Sequence, residues 1–106
     1  MKTIIYNKLV RDLIPEIIGS AGKSCVTETL TDEKYLEMLD KKLDEELAEY
    51  HSDQNIEELA DLLEVIYAAA EARGHSVDEL ERIRAEKAAK RGGFKKRILL
   101  KEVTED

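Results

Sequence analysis

The sequence predicts a mainly α fold: a helical bundle with a helical hairpin at its centre and a small two-stranded β element. Three observations predict it. Leu, Ala, Glu, Lys and Arg dominate a chain that is 42% hydrophobic, 39% charged and only 5% aromatic, the mixture of helical bundles. Two long central stretches repeat apolar residues at three- and four-residue spacing, joined by the short polar run "HSDQN". Two short stretches, "KSCVTETL" and "FKKRILLKEV", read instead as strands.

The elements follow in order. "IIYNKLVRDLIPEIIGSAG" reads as a turn or short helix and then a second short helix, with Pro15 in its first turn, where a missing N–H costs little. Gly19 and Gly22 end it. Residues 24–30 carry Val26, Thr27 and Thr29 in rough alternation and predict a strand. Thr31 is a suitable N-cap, and Asp32 and Glu33 suit the positive end of the helix dipole. That helix should run to about Tyr50 on the stripe Leu36, Leu39, Leu43, Leu47, Tyr50. The next spans about 55–73, returns antiparallel after the short turn, and closes at Gly74. Ser76 to Glu79 matches a capping box and starts a third long helix, which ends near Arg91 at Gly92-Gly93. Residues 94–103 then form the second strand, pairing with the first. At 106 residues without a linker or repeat, the chain reads as a single domain, 1–106.

Composition also excludes classes. A net charge of −7 disfavours non-specific nucleic-acid binding, although the stretch Arg82–Lys101 carries nine bases against one acid, Glu86. No apolar run approaches the length of a membrane span, and no secretory leader is recognisable after Met1. One cysteine, Cys25, permits neither an internal disulfide framework nor a thiolate zinc site. A cytoplasmic location is the expectation.

The centre of the chain, "LDEELAEYHSDQNIEELADLLEVI", concentrates carboxylates that helical phase can sort. On the second long helix, Ile56, Leu59, Leu63, Ile66 and Ala70 make one apolar stripe. Glu57, Glu64 and Glu71 make an acidic one that belongs to solvent. A third runs Glu58, Asp61, Val65, Ala68, Ala72 and is apolar after its two acids. Glu58 and Asp61 therefore either sit at a wet helix end or meet a cation, whether a basic side chain or a metal. On the preceding helix Glu46 lies beside the Leu43–Leu47 stripe, Glu49 follows on the same edge, and Glu45 points further away. Two pairs at i, i+3 on antiparallel neighbours can bring four carboxylates together, and four such charges would repel unless a cation joined them. Oxygen ligands without His or Cys suit Mg²⁺, or Mn²⁺, rather than zinc.

The pattern Glu45-Glu46-Leu47-Ala48-Glu49 followed by Glu58-Leu59-Ala60-Asp61 resembles the EExxE…ExxD signature of the MazG-like nucleoside triphosphate pyrophosphohydrolases. "YNKLVRDLIPEII" and "AEKAAKRGGFKKRI" are similar to the flanks of a small stand-alone branch of that superfamily, related to phosphoribosyl-ATP pyrophosphohydrolase. The resemblance implies a MazG-like helical bundle and Mg²⁺-dependent cleavage between the α and β phosphates, giving a monophosphate and pyrophosphate, in clearance of non-canonical or excess nucleotides. It implies Glu46, Glu49, Glu58 and Asp61 as metal ligands, with Glu45 orienting water, acting as base or helping to hold a further metal. Phosphoribosyl-ATP hydrolysis, or a non-catalytic helical interaction module, are the alternatives. Only residues 50–57 separate the motif halves, fewer than in many relatives, so contacts made there by a longer connection do not transfer.

Lys8 and Arg11 in the N-terminal motif, and Lys87 and Arg91 at i, i+4 on the third long helix, are candidates for substrate phosphates. His51 and His75 lie in turns without metal spacing, and Tyr35, Tyr50 and Tyr67 sit at core-like spacing. Two protein-facing stripes on one helix are more apolar surface than three helices can cover. A homodimer or homotetramer is therefore expected, with Val65, Ala68 and Ala72 near a subunit contact.

Overall fold

The computed structural model describes residues 2–105, and its regular elements there are four helices: α1 (Ile14–Ser20), α2 (Asp32–Asp53), α3 (Ile56–Ala72) and α4 (Val77–Arg91). Two units divide the chain, Met1–His75 and Ser76–Asp106.

In the first unit, Pro15 occupies the opening turn of α1. The helix closes where the Gly22 N–H donates to the Gly19 carbonyl (3.0 Å) and the Lys23 N–H to that of Ile18 (3.2 Å). Gly22 takes a φ of +78° there, which a side chain would resist. Thr31 caps α2, its hydroxyl accepting from the Lys34 N–H at 3.3 Å. Rather than stopping at Tyr50, α2 runs on to Asp53, so the connection shrinks to Gln54 and Asn55. Gln54 is left-handed (φ +51°), and Asn55 caps α3 by accepting from the Glu58 N–H at 2.9 Å. Two residues leave α3 no course but back along α2, and these two helices pack as the expected hairpin. α3 ends in a double closure: the His75 N–H reaches the Ala70 carbonyl and the Gly74 N–H that of Glu71, both at 3.0 Å.

The second unit holds α4. The Ser76 hydroxyl accepts from the Glu79 N–H at 3.1 Å, and Gly92 ends the helix with a φ of +85°. Lys90 and Arg91 occupy its last turn, at the negative end of the dipole.

The expected β element is overturned: among the described residues there is no strand. Residues 24–30 are coil, and Val26 is fully exposed, so no partner covers the face that alternation implied. In the other segment the Arg97 N–H donates to the Phe94 carbonyl at 3.1 Å, with Arg97 at a φ of +59°. That turn interrupts the extended run, and Phe94, Ile98, Leu99, Leu100 and Val103 all lie exposed. Among the described residues no helix is long and apolar enough to cross a membrane.

Helical phase sorted the acids of α3 but not its apolar stripes. Glu57, Glu64 and Glu71 are exposed, while Glu58, Asp61, Val65, Ala68 and Ala72 are half-buried. The apolar stripe Ile56, Leu59, Leu63, Ile66 is the more open of the two, with Leu63 45% exposed.

Candidate metal centre

Glu46 leaves 7% of its surface exposed, and it is the buried charged residue of the described chain. It lies on the α2 face that meets α3. One oxygen each from Glu46, Glu58 and Asp61 falls within 4.8 Å of the others. Asn55 starts α3 so that Glu58 sits in its first turn and Asp61 one turn on, on the same edge. The hairpin thus brings three of the four expected ligands together.

Three carboxylates at this range repel, and burial sharpens the effect. Burial pushes the Glu46 carboxyl above its ordinary range, and the charge of Glu49 adds to the push, against a downward pull from Lys42. Burial likewise raises Glu58, followed by the charges of Glu49, Asp53 and Asp61 and by a hydrogen bond with Glu49. Glu46 Oε2 and Glu58 Oε2 are both buried and, among the described residues, meet no hydrogen-bond partner. A carboxylate oxygen so placed carries a desolvation cost, which at Glu46 the ion pair with Lys42 offsets only in part. A hard cation held by the three carboxylates would meet that deficit.

Glu49 is exposed and acts on the trio through its charge, outside the closest oxygen set. Glu45 also stands outside it. Its Oε1 accepts from Lys8 Nζ at 3.0 Å and from Lys42 Nζ at 3.3 Å. Burial pushes this carboxyl up, but the two lysines outweigh it and hold Glu45 below the usual range. The hydrogen bond to Glu45 in turn raises Lys8.

Both N-terminal candidates reach the hairpin's carboxylates. Asn7, left-handed at φ +48°, precedes Lys8, and Arg11 Nη2 donates to Asp61 Oδ1 at 2.7 Å. Lys87 and Arg91 are exposed on α4, in the second unit. Lys42 is the residue that the sequence reading passed over. Its Nζ lies 3.3 Å from Glu45 and 3.4 Å from Glu46, with the side chain only 17% exposed. The signal was its i+3 and i+4 spacing to two motif glutamates. His51 is exposed and tilts against Tyr50, ring centroids 6.1 Å apart. Cys25 is an exposed thiol in coil, not a strand residue.

What the fold and site define is a helical hairpin carrying a half-buried carboxylate cluster able to hold a hard divalent cation. Over 42 residues the chain is 55% identical to an uncharacterized protein of Mycolicibacterium smegmatis (strain ATCC 700084 / mc(2)155). The match takes in 40% of this chain and 43% of that relative, so the chain spans less than half the relative's length. No protein-family profile matches the chain. No solved structure matches it.

Proposed function

We propose that the protein is a MazG-like, Mg²⁺- or Mn²⁺-dependent nucleoside triphosphate pyrophosphohydrolase that cleaves between the α and β phosphates. The observation that carries this reading is that Glu46, whose buried Oε2 meets no hydrogen-bond partner among the described residues, joins Glu58 and Asp61 in an oxygen trio drawn from both halves of the EExxE…ExxD pattern. Glu46, Glu58 and Asp61 would hold the ion, with Glu49 adding charge beside them. When bound, such an ion neutralises phosphate charge and acidifies a coordinated water. Glu45, kept ionised by Lys8 and Lys42, can accept a proton or orient a water without first losing a proton of its own. Lys8 and Arg11 supply positive charge beside the carboxylates for the triphosphate.

The stripe Ile56, Leu59, Leu63, Ile66 favours self-association, because its apolar side chains lie open on a helix whose other apolar stripe is half-buried. A second copy of the chain would cover this stripe. An exposed thiol suits a reducing compartment such as the cytoplasm.

The test is pyrophosphate release from a panel of NTPs, dNTPs and phosphoribosyl-ATP with Mg²⁺, run beside Glu58→Gln and Asp61→Asn. Turnover that is absent for every substrate, or indifferent to both substitutions, removes the reading. Preference for phosphoribosyl-ATP moves it to that branch, and orthophosphate release means that a different bond is cut.

A further inference from the structure

Two cations from the coil before α1 lie on the hairpin's carboxylates, and they are not equivalent. Lys8 pairs with Glu45, which stands outside the oxygen trio, whereas Arg11 pairs with Asp61, a member of it. An ion drawing on Asp61 competes directly with the guanidinium. The Arg11–Asp61 pair is exposed on both sides, 57% and 42%, and exposed pairs are weak and readily exchanged. A dication facing three carboxylates wins that exchange on charge alone. The backbone of Arg11 need not move for it, because its carbonyl accepts from the Ile14 N–H at 3.0 Å in the turn that leads into α1. Its side chain is released beside the site with a planar fork of donors that matches phosphate oxygens.

We propose that Arg11 is a resident counter-ion of Asp61 that a divalent cation displaces, and that the freed guanidinium then anchors a phosphate of the substrate. The second half rests on the functional reading above; the first does not. The arrangement makes Arg11 oppose metal binding in the empty protein and favour triphosphate binding in the loaded one. A purely structural residue would not reverse sign in this way.

Calorimetric titration of Mn²⁺ alone into the unaltered chain, Arg11→Gln and Lys8→Gln decides the first half. Arg11→Gln should tighten Mn²⁺ binding about two- to fivefold, the fold equivalent of an exposed ion pair, and Lys8→Gln should tighten it less. With Mn²⁺ saturating, Arg11→Gln should bind an α,β-methylene nucleoside triphosphate about tenfold more weakly. In the unaltered chain the Arg11 Nε–Hε resonance should shift on Mg²⁺ saturation. Mn²⁺ binding no tighter in Arg11→Gln than in the unaltered chain, an equal gain in Lys8→Gln, or an unmoved resonance overturns the proposal. Unweakened binding of the analogue overturns its second half. An unaltered chain that binds no Mn²⁺ overturns this proposal and the functional reading together. One that binds Mn²⁺ yet releases pyrophosphate from no nucleotide overturns the functional reading alone, and the metal titration still decides Arg11.

Discussion

Leu39 and Glu46 lie seven positions apart on α2, and they are the two buried residues among those described. Heptad spacing sets both on the face that packs against α3. A glutamate thus takes a seam position where an apolar side chain would ordinarily pack.

Glu46→Leu should therefore stabilise the metal-free hairpin by about 1–3 kcal/mol, because a buried charge gives way to packing. Bound Mg²⁺ or Mn²⁺ should raise the Tm of the unaltered chain, the equivalent of about 2.7 kcal/mol at a hundredfold excess over Kd, and the same change should abolish that rise. Glu58→Gln and Asp61→Asn should lose that rise, and Glu57→Gln and Glu64→Gln should keep it. Calorimetric melts with and without metal read all five.

The pH dependence follows from the same crowding. Burial, helped by Glu49, raises the Glu46 carboxyl, so the native state keeps this proton after the unfolded chain has lost it. Native protein then binds more protons than unfolded, and the Glu46 contribution falls as pH rises from the ordinary 4.5 through the raised folded value. Glu45, lowered on balance, runs the other way: its contribution is present above 4.5 and fades as pH drops through the folded value. Urea midpoints from pH 4 to 7 should put the unaltered chain level with Glu46→Gln at the acid end and progressively below it at neutral pH. A constant gap across that range would contradict the assignment.

Lys42 bridges Glu45 and Glu46 from within their own helix. Lys42→Met should cost about 1 kcal/mol, with Lys42→Arg recovering most of it, because the charge rather than the stem is what the two carboxylates need. Mn²⁺ should shrink the loss, since the ion supplies charge at Glu46. Denaturant melts of the three proteins with and without Mn²⁺ make the comparison.

Leu63→Glu should shift the chain to monomer at micromolar concentration in light scattering, if the open stripe of α3 is where a second copy sits. Glu64 lies exposed on the acidic stripe, outside that surface, and Glu64→Gln should leave the mass unchanged.

Periodicity made much of the hairpin legible. The caps at Thr31 and Ser76, the exposed acidic stripe of α3 and the inward turn of Glu58 and Asp61 all follow from spacing and side-chain chemistry within one helix. The strands were misread because alternation describes a face only if something covers it, and the turn at Phe94–Arg97 breaks the second one. Arg11 meeting Asp61 was illegible for another reason. Their pairing crosses 50 residues, and no local pattern in either segment encodes it.

That separation also bears on the order in which the molecule assembles. Gln54 and Asn55 join α2 to α3 directly, while Lys8 and Arg11 reach their partners across 37 and 50 residues. Loop closure favours the short connection, so the hairpin closes first and the N-terminal bases arrive afterwards. Arg11→Gln should accordingly leave the refolding rate nearly unchanged and quicken unfolding, whereas Mg²⁺ should quicken refolding; stopped-flow traces separate the two. During folding, the acidic seam stands open to an ion before the chain's own bases reach it.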